Sequence, residues 1–188
     1  MNDIKITLLA VISKDGFITD ENGDGNFSSI EDKTEFRSYL RSDKCDCFIC
    51  GRKTGEEFKE RLNYKPLFIL TRKPLPQQKN IHYIKNLNEL FTTLKEKNLS
   101  KPALLGGAEA YNLFIENNLV NKAIITQENN IISQKGIKFD IDKIENTFQK
   151  SNVKILSSNT IQHTYVNNET NSNNLEKFRF KSKQNKEM

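Results

Sequence analysis

Four short stretches of this 188-residue sequence combine residue types that can hold anions or move a proton. In the first, the apolar run Ala103–Leu105 empties through Gly106-Gly107 into Ala108-Glu109-Ala110-Tyr111, which begins a helical pattern. Glycines let backbone approach a ligand closely, and the free N–H groups of a helix start suit a pyrophosphate; a plain tight turn is the other reading. Gly51-Arg52-Lys53-Thr54 repeats the arrangement after Cys47–Cys50, adding two cations and a hydroxyl. Thr71-Arg72-Lys73 places two more bases after Leu67-Phe68-Ile69-Leu70, although either basic pair alone reads equally well as solvated surface. Converging on one sheet edge, the three would suit a ligand with several separated phosphates, and NADPH is such a ligand. Arg52 or Arg72 would take its 2′-phosphate, because a guanidinium matches phosphate with a fork of donors.

The fourth stretch is Phe27-Ser28-Ser29-Ile30-Glu31-Asp32. Ser28 and Glu31 fit a capping box, which gives Glu31 a structural task at a helix start. Asp32 precedes Phe36 by four residues and Leu40 by eight, so its carboxylate falls on the apolar face of that helix. A carboxyl there is expected to be desolvated, with a raised pKa, and able to hold or relay a proton. An ordinary first-turn aspartate favoured by the helix dipole is the alternative. Just upstream, Asp20-Glu21-Asn22-Gly23-Asp24-Gly25 with Glu31 satisfies the calcium-loop pattern, but the segment entering it reads as strand and turn rather than helix. The expectation is a mobile loop that closes over substrate, with no metal.

Positioning these stretches requires strands at about Ile4–Ile12, Cys47–Cys50, Leu67–Thr71, Ile81–Ile84, Ala103–Leu105 and Ala123–Thr126. Helical spacing recurs at about Ile30–Arg41, Thr54–Leu62, Leu87–Lys97 and Ala108–Asn117. The alternation predicts an α/β fold with a mainly parallel sheet and helices on both faces, while extended runs at Val153–Leu156 and Phe178–Lys181 would close it as an antiparallel edge. In such sheets ligands lie beyond the carboxyl ends of the strands, where the four stretches fall. One domain over residues 1–166 is expected, followed by a polar, basic segment over 167–188.

The net charge of +5 is partly a feature of that segment, and without Trp or aromatics interleaved with bases no nucleic-acid surface is expected. The N-terminal apolar run is too short for a membrane span, so a cytoplasmic protein is expected. Cys45, Cys47 and Cys50 suit a reduced, buried strand, with Cys45 and Cys47 sharing a face. His82 and His163, distant in sequence, lack metal-ligand spacing and read as packing or surface residues.

Taken with their order and spacing, Ala10–Ile18, Phe27–Phe36, Gly51–Thr54 and Gly106–Tyr111 followed by a strand ending at Thr126 resemble the dihydrofolate reductase superfamily. The resemblance implies a three-layer sandwich with a mixed, mostly parallel central sheet of about eight strands. It implies a nicotinamide between Ala10 with the first loop and the Gly106-Gly107 turn, lined by Ala108, Glu109, Ala110 and Tyr111. Gly51, Arg52, Lys53 and Thr54 would take cofactor phosphate, and Thr71 with Arg72 the adenosine end. Asp32, supported by Thr126, would be catalytic, with Phe27, Glu31, Phe36 and Lys65 against a pyrimidine or pterin substrate.

Phe27 stands where folate reductases usually carry Trp, and Lys65 where an arginine grips the folate carboxylate. Ser13–Gly16, Phe27–Asp32 with Phe36 and Leu40-Arg41, and Asn118-Leu119-Val120 are more similar to the reductase domain of riboflavin biosynthesis. That domain reduces 5-amino-6-(5-phosphoribosylamino)uracil, and its relatives imply a homodimer. Dihydrofolate reduction is the alternative within the fold; a nucleotide- or calcium-binding module without chemistry is the alternative outside it.

Overall fold

The computed structural model describes residues 3–73, 75–76, 78–132 and 135–167. Its frame is an eight-stranded sheet built from β1 (Ile6–Ile12), β2 (Cys47–Gly51), β3 (Leu67–Leu70), β4 (Ile81–Ile84), β5 (Pro102–Leu104), β6 (Val120–Glu128), β7 (Gln149–Ser157) and β8 (Thr160–Val166). The strand order is β4-β3-β2-β5-β1-β6-β8-β7. All pairings from β4 across to β6 are parallel, and only the two that β8 makes, with β6 and β7, are antiparallel.

Among the described residues, five helices connect the strands: α1 (Ile30–Arg41), α2 (Arg52–Leu62), α3 (Leu87–Glu96), α4 (Ala108–Glu116) and α5 (Ile141–Thr147). Strand residues of alternate parity point to opposite faces, which splits the core in two. One half joins Ile6, Leu8, Ile49, Phe68 and Ile125 to α3, α4 and α5; the other joins Leu9, Phe48, Cys50 and Ile69 to α1 and α2. At Gly55 of α2 a Cβ would stand 2.7 Å from Ile69, so glycine is what lets this helix lie so close to β3.

The α/β architecture with helices on both faces is the expected one, and the differences lie at the late strands. Val153–Leu156 sits within β7, but the partner of β7 is β8, a strand not expected from the sequence, and Phe178–Lys181 falls outside the described residues. The α5 helix was likewise not foreseen. All three cysteines are free and buried, yet Cys45 lies ahead of β2 and packs with Cys50 on the α1 and α2 side, while Cys47 faces the other way. The alternation argument failed for Cys45 because it applies only inside a strand. Burial pushes the Cys50 thiol up to about 12, consistent with an inert core residue. His82 stacks on Phe68 with ring centroids 5.1 Å apart. Among the described residues no helix is long and apolar enough to cross a membrane.

Candidate active site

Two glycine turns meet where β2 and β5 end. The Gly51 N–H donates to the Gly106 carbonyl at 2.6 Å, and a Cβ on Gly51 would lie 3.4 Å from the Gly107 nitrogen. Gly106 has φ of +109°, a conformation side chains disfavour, and a Cβ on Gly107 would press on the Thr54 hydroxyl at 3.2 Å. The peptide joining the two glycines is cis. Gly51 and Gly107 are the N-caps of α2 and α4, and neither has a side chain to satisfy the helix's first N–H groups. Two uncapped helix starts therefore share one small region, with Arg52 and Lys53 exposed beside it. Open donors and absent Cβ atoms fit the pyrophosphate of a dinucleotide. Thr71, by contrast, is buried, its hydroxyl accepting the Lys73 N–H at 3.1 Å, and Arg72 is exposed beyond β3. Glu109 is exposed in the first turn of α4, whereas Ala110 packs towards Gly51.

Tyr111, one turn into α4, ties this region to β1: its buried hydroxyl donates to the Leu9 carbonyl at 2.6 Å. Ala10, the next residue of β1, is partly open at the strand's carboxyl half. Burial, helped by Cys50 and Asp32, pushes the Tyr111 phenol far up, so it serves as a fixed donor.

Asp32 is 8% exposed on the inner side of α1. The Ser28 hydroxyl donates to its Oδ2, and the Thr126 hydroxyl is a second partner. Thr126 in turn accepts from Gln162 Nε2 at 3.2 Å, which turns its own proton towards Asp32. Burial raises the Asp32 pKa above the ordinary aspartate value; the Ser28 and Thr126 hydroxyls oppose it, Glu128 adds to it, and Lys33 opposes it weakly. A desolvated carboxyl that is nonetheless stabilised as an anion by two hydroxyls is suited to take up and give back a proton. Phe36, partly buried, packs against the core on this side, and Phe27 is partly buried ahead of the helix.

One expectation is corrected. The N-cap of α1 is Ser29, whose hydroxyl accepts the Asp32 N–H at 3.1 Å, so the capping pattern is shifted by one residue and Glu31 is exposed outside it. The reciprocal half of the cap comes from the sheet: the Ser29 N–H donates to Glu128 Oε1 at 2.8 Å. Lys65 has a structural task, because its ammonium donates to the carbonyls of Leu40, Ser42 and Cys45 at 2.7, 2.8 and 2.7 Å and so closes the end of α1. In the Asp20–Gly25 loop, Asp20 Oδ1 accepts the N–H groups of Asn22 and Asp24, a self-contained turn entered from a strand rather than from a helix. The sequence reading missed Glu128, Thr160 and Gln162. Two-residue alternation from Thr126 to Glu128, and from Thr160 to Gln162, is the signal that would have found them.

Residues 5–170 match the family described as dihydrofolate reductase. The chain belongs to the dihydrofolate reductase family. Among solved structures, a putative riboflavin biosynthesis protein from Shewanella sp. PV-4 superposes with a TM-score of 0.66 at 17% identity, covering 87% of this chain and 99% of that one. A diaminohydroxyphosphoribosylaminopyrimidine deaminase/5-amino-6-(5-phosphoribosylamino)uracil reductase from Thermotoga maritima gives 0.69 at 13% identity, over 88% of this chain and 57% of that one, so this chain spans little more than half its length. Dihydrofolate reductase from Enterococcus faecalis, complexed with NADP(H) and RAB-propyl, gives 0.68 at 16% identity, over 88% and 97%. At these identities the likeness is one of fold, and it agrees with the dihydrofolate reductase-like sandwich. Sequence comparison with curated proteins gives no match.

Proposed function

We propose that this chain is an NADPH-dependent reductase of a pyrimidine- or pterin-type small molecule, with 5-amino-6-(5-phosphoribosylamino)uracil as the preferred substrate. The observation that carries the reading is the pairing of a buried, hydroxyl-supported carboxyl, Asp32, with two touching glycine turns that leave two helix starts uncapped. When bound, the dihydronicotinamide supplies a hydride to an electron-poor carbon, which is the ribose C1′ in the ribotide. The chain's own residues hold the reactants in register, keep water out and manage one proton. Gly51, Gly106 and Gly107 admit the pyrophosphate to the helix starts, and Arg52 or Arg72 takes the 2′-phosphate. Tyr111 fixes β1 beneath the nicotinamide, where Ala10 leaves room for the ring. Asp32, directly or through a water it orients, delivers the proton to the atom that receives the displaced electron pair. The Asp20–Gly25 loop closes over the site.

Dihydrofolate is the second reading, favoured by the family match over residues 5–170. Against it stands Lys65, whose ammonium already serves three carbonyls and is therefore a poor grip for a folate carboxylate. The test is NADPH oxidation followed by absorbance with each substrate in turn. Turnover of the ribotide alone supports the preferred reading, and turnover of dihydrofolate alone moves the chain to folate reduction. Activity with neither, despite tight NADPH binding, removes both substrates.

A further inference from the structure

Behind Asp32 lies a second buried carboxylate to which neither the sequence patterns nor the proposed chemistry gives a task. Glu128, the last residue of β6, is 5% exposed and bonded through both oxygens. Its Oε1 accepts the Ser29 N–H at 2.8 Å, and its Oε2 accepts the Thr160 hydroxyl of β8 at 2.7 Å. Thr160 Oγ1 is also 3.2 Å from Ser29 Oγ, the oxygen that caps Asp32's own N–H. Glu128, Thr160 and Ser29 therefore form a closed triangle, with its third corner at the start of α1.

We infer that Glu128 is a positioning residue for Asp32: it fastens the first turn of α1 to β6 and β8 and sets a second carboxylate facing the acid. The inference rests on the reading of Asp32 as the group that carries the proton. A buried carboxylate is costly unless fully bonded, and Glu128 is bonded at both oxygens. Facing Asp32 from its own helix is Lys33, and from just ahead of it the Ser28 hydroxyl. From β6 come Thr126 and Glu128, and behind Thr126 stands Gln162 of β8. Glu35 of α1 is paired with Lys154 of β7 at 2.8 Å, which neutralises the next charges outward, and Tyr111 of α4 interacts with Asp32 electrostatically while its hydroxyl is bonded to Leu9. Glu128 is thus the one anion among these that bears on Asp32 without a cationic partner of its own among the described ion pairs.

The tether and the charge are separable. Glu128→Gln keeps an acceptor for the Ser29 N–H and removes the charge; Glu128→Asp keeps the charge but is a methylene too short to reach both Ser29 and Thr160. The experiment is a carboxyl-carbon NMR titration of Asp32 in protein labelled at aspartate, assigned with Asp32→Asn, together with amide exchange at Ser29. Glu128→Gln is expected to lower the Asp32 midpoint with Ser29 still protected. Glu128→Asp is expected to speed Ser29 exchange by about tenfold while overall melting shifts little. An unchanged midpoint in a folded Glu128→Gln overturns the inference, as does an unchanged Ser29 in Glu128→Asp, which carries the test should the Gln variant not fold. The readouts need no substrate. If Asp32→Asn keeps full turnover while both shifts appear, the proposed role of Asp32 fails and the Glu128 contact stands.

Discussion

Asp32 is pulled in opposite directions by its surroundings: burial and Glu128 favour the neutral acid, while two hydroxyls favour the anion. Its face of the helix was legible from the spacing to Phe36 and Leu40, since helical period alone decides it. What surrounds it was not, because Thr126, Glu128 and Gln162 become neighbours only when β6 and β8 pair. Replacing Asp32 with Asn is expected to cut turnover by about 10²–10⁴-fold, the range of general acid–base catalysis, with little change in NADPH affinity. Arg52→Ala should show the reverse pattern, weakening NADPH by about tenfold or more and leaving NADH unaffected. Fluorescence titration of each cofactor beside steady-state kinetics checks both; equal losses in turnover and affinity from either variant would count against the assignments.

At the scale of elements, helix ends are where local sequence and tertiary structure disagree. The start of α1 reads as Ser28 with Glu31, yet the sheet supplies Glu128 to the Ser29 N–H, which fixes the cap one residue later. Its other end is closed from 25 residues downstream by Lys65, a contact no local pattern announces. Lys65→Met should leave three carbonyls without their donor and cost about 1–3 kcal/mol of stability. That corresponds to a fall of roughly 2–12 °C in Tm, measurable by thermal melting. If Lys65 gripped substrate instead, the same variant would raise KM and leave Tm alone. The glycine turns were legible because glycine followed by a helix start is a local signal, whereas their contact with one another required β5 to lie beside β2.

At the scale of the molecule, the raised Asp32 pKa couples function to stability. The folded chain holds this proton more tightly than the unfolded chain does. Its contribution is fullest below the ordinary aspartate range and is lost as pH rises through the folded value. The Tm of Asp32→Asn relative to the parent should therefore climb as pH is raised from about 3 to 7, with a flat difference contradicting the desolvation. The alternation of strands and helices was legible through β6. In the closing hairpin only part of β7 was legible, at Val153–Leu156; its partner β8 was not, because burial along β8 does not alternate. The place of β7 in the sheet also carries a consequence for synthesis. β7 leaves the ribosome before β8 but joins the sheet only through it, so it has no place in the sheet until the later strand has emerged. Gln162 and Thr160 arrive with that strand. A nascent chain that already has its glycine turns and Asp32 is still without the side chains that hold the acid in place.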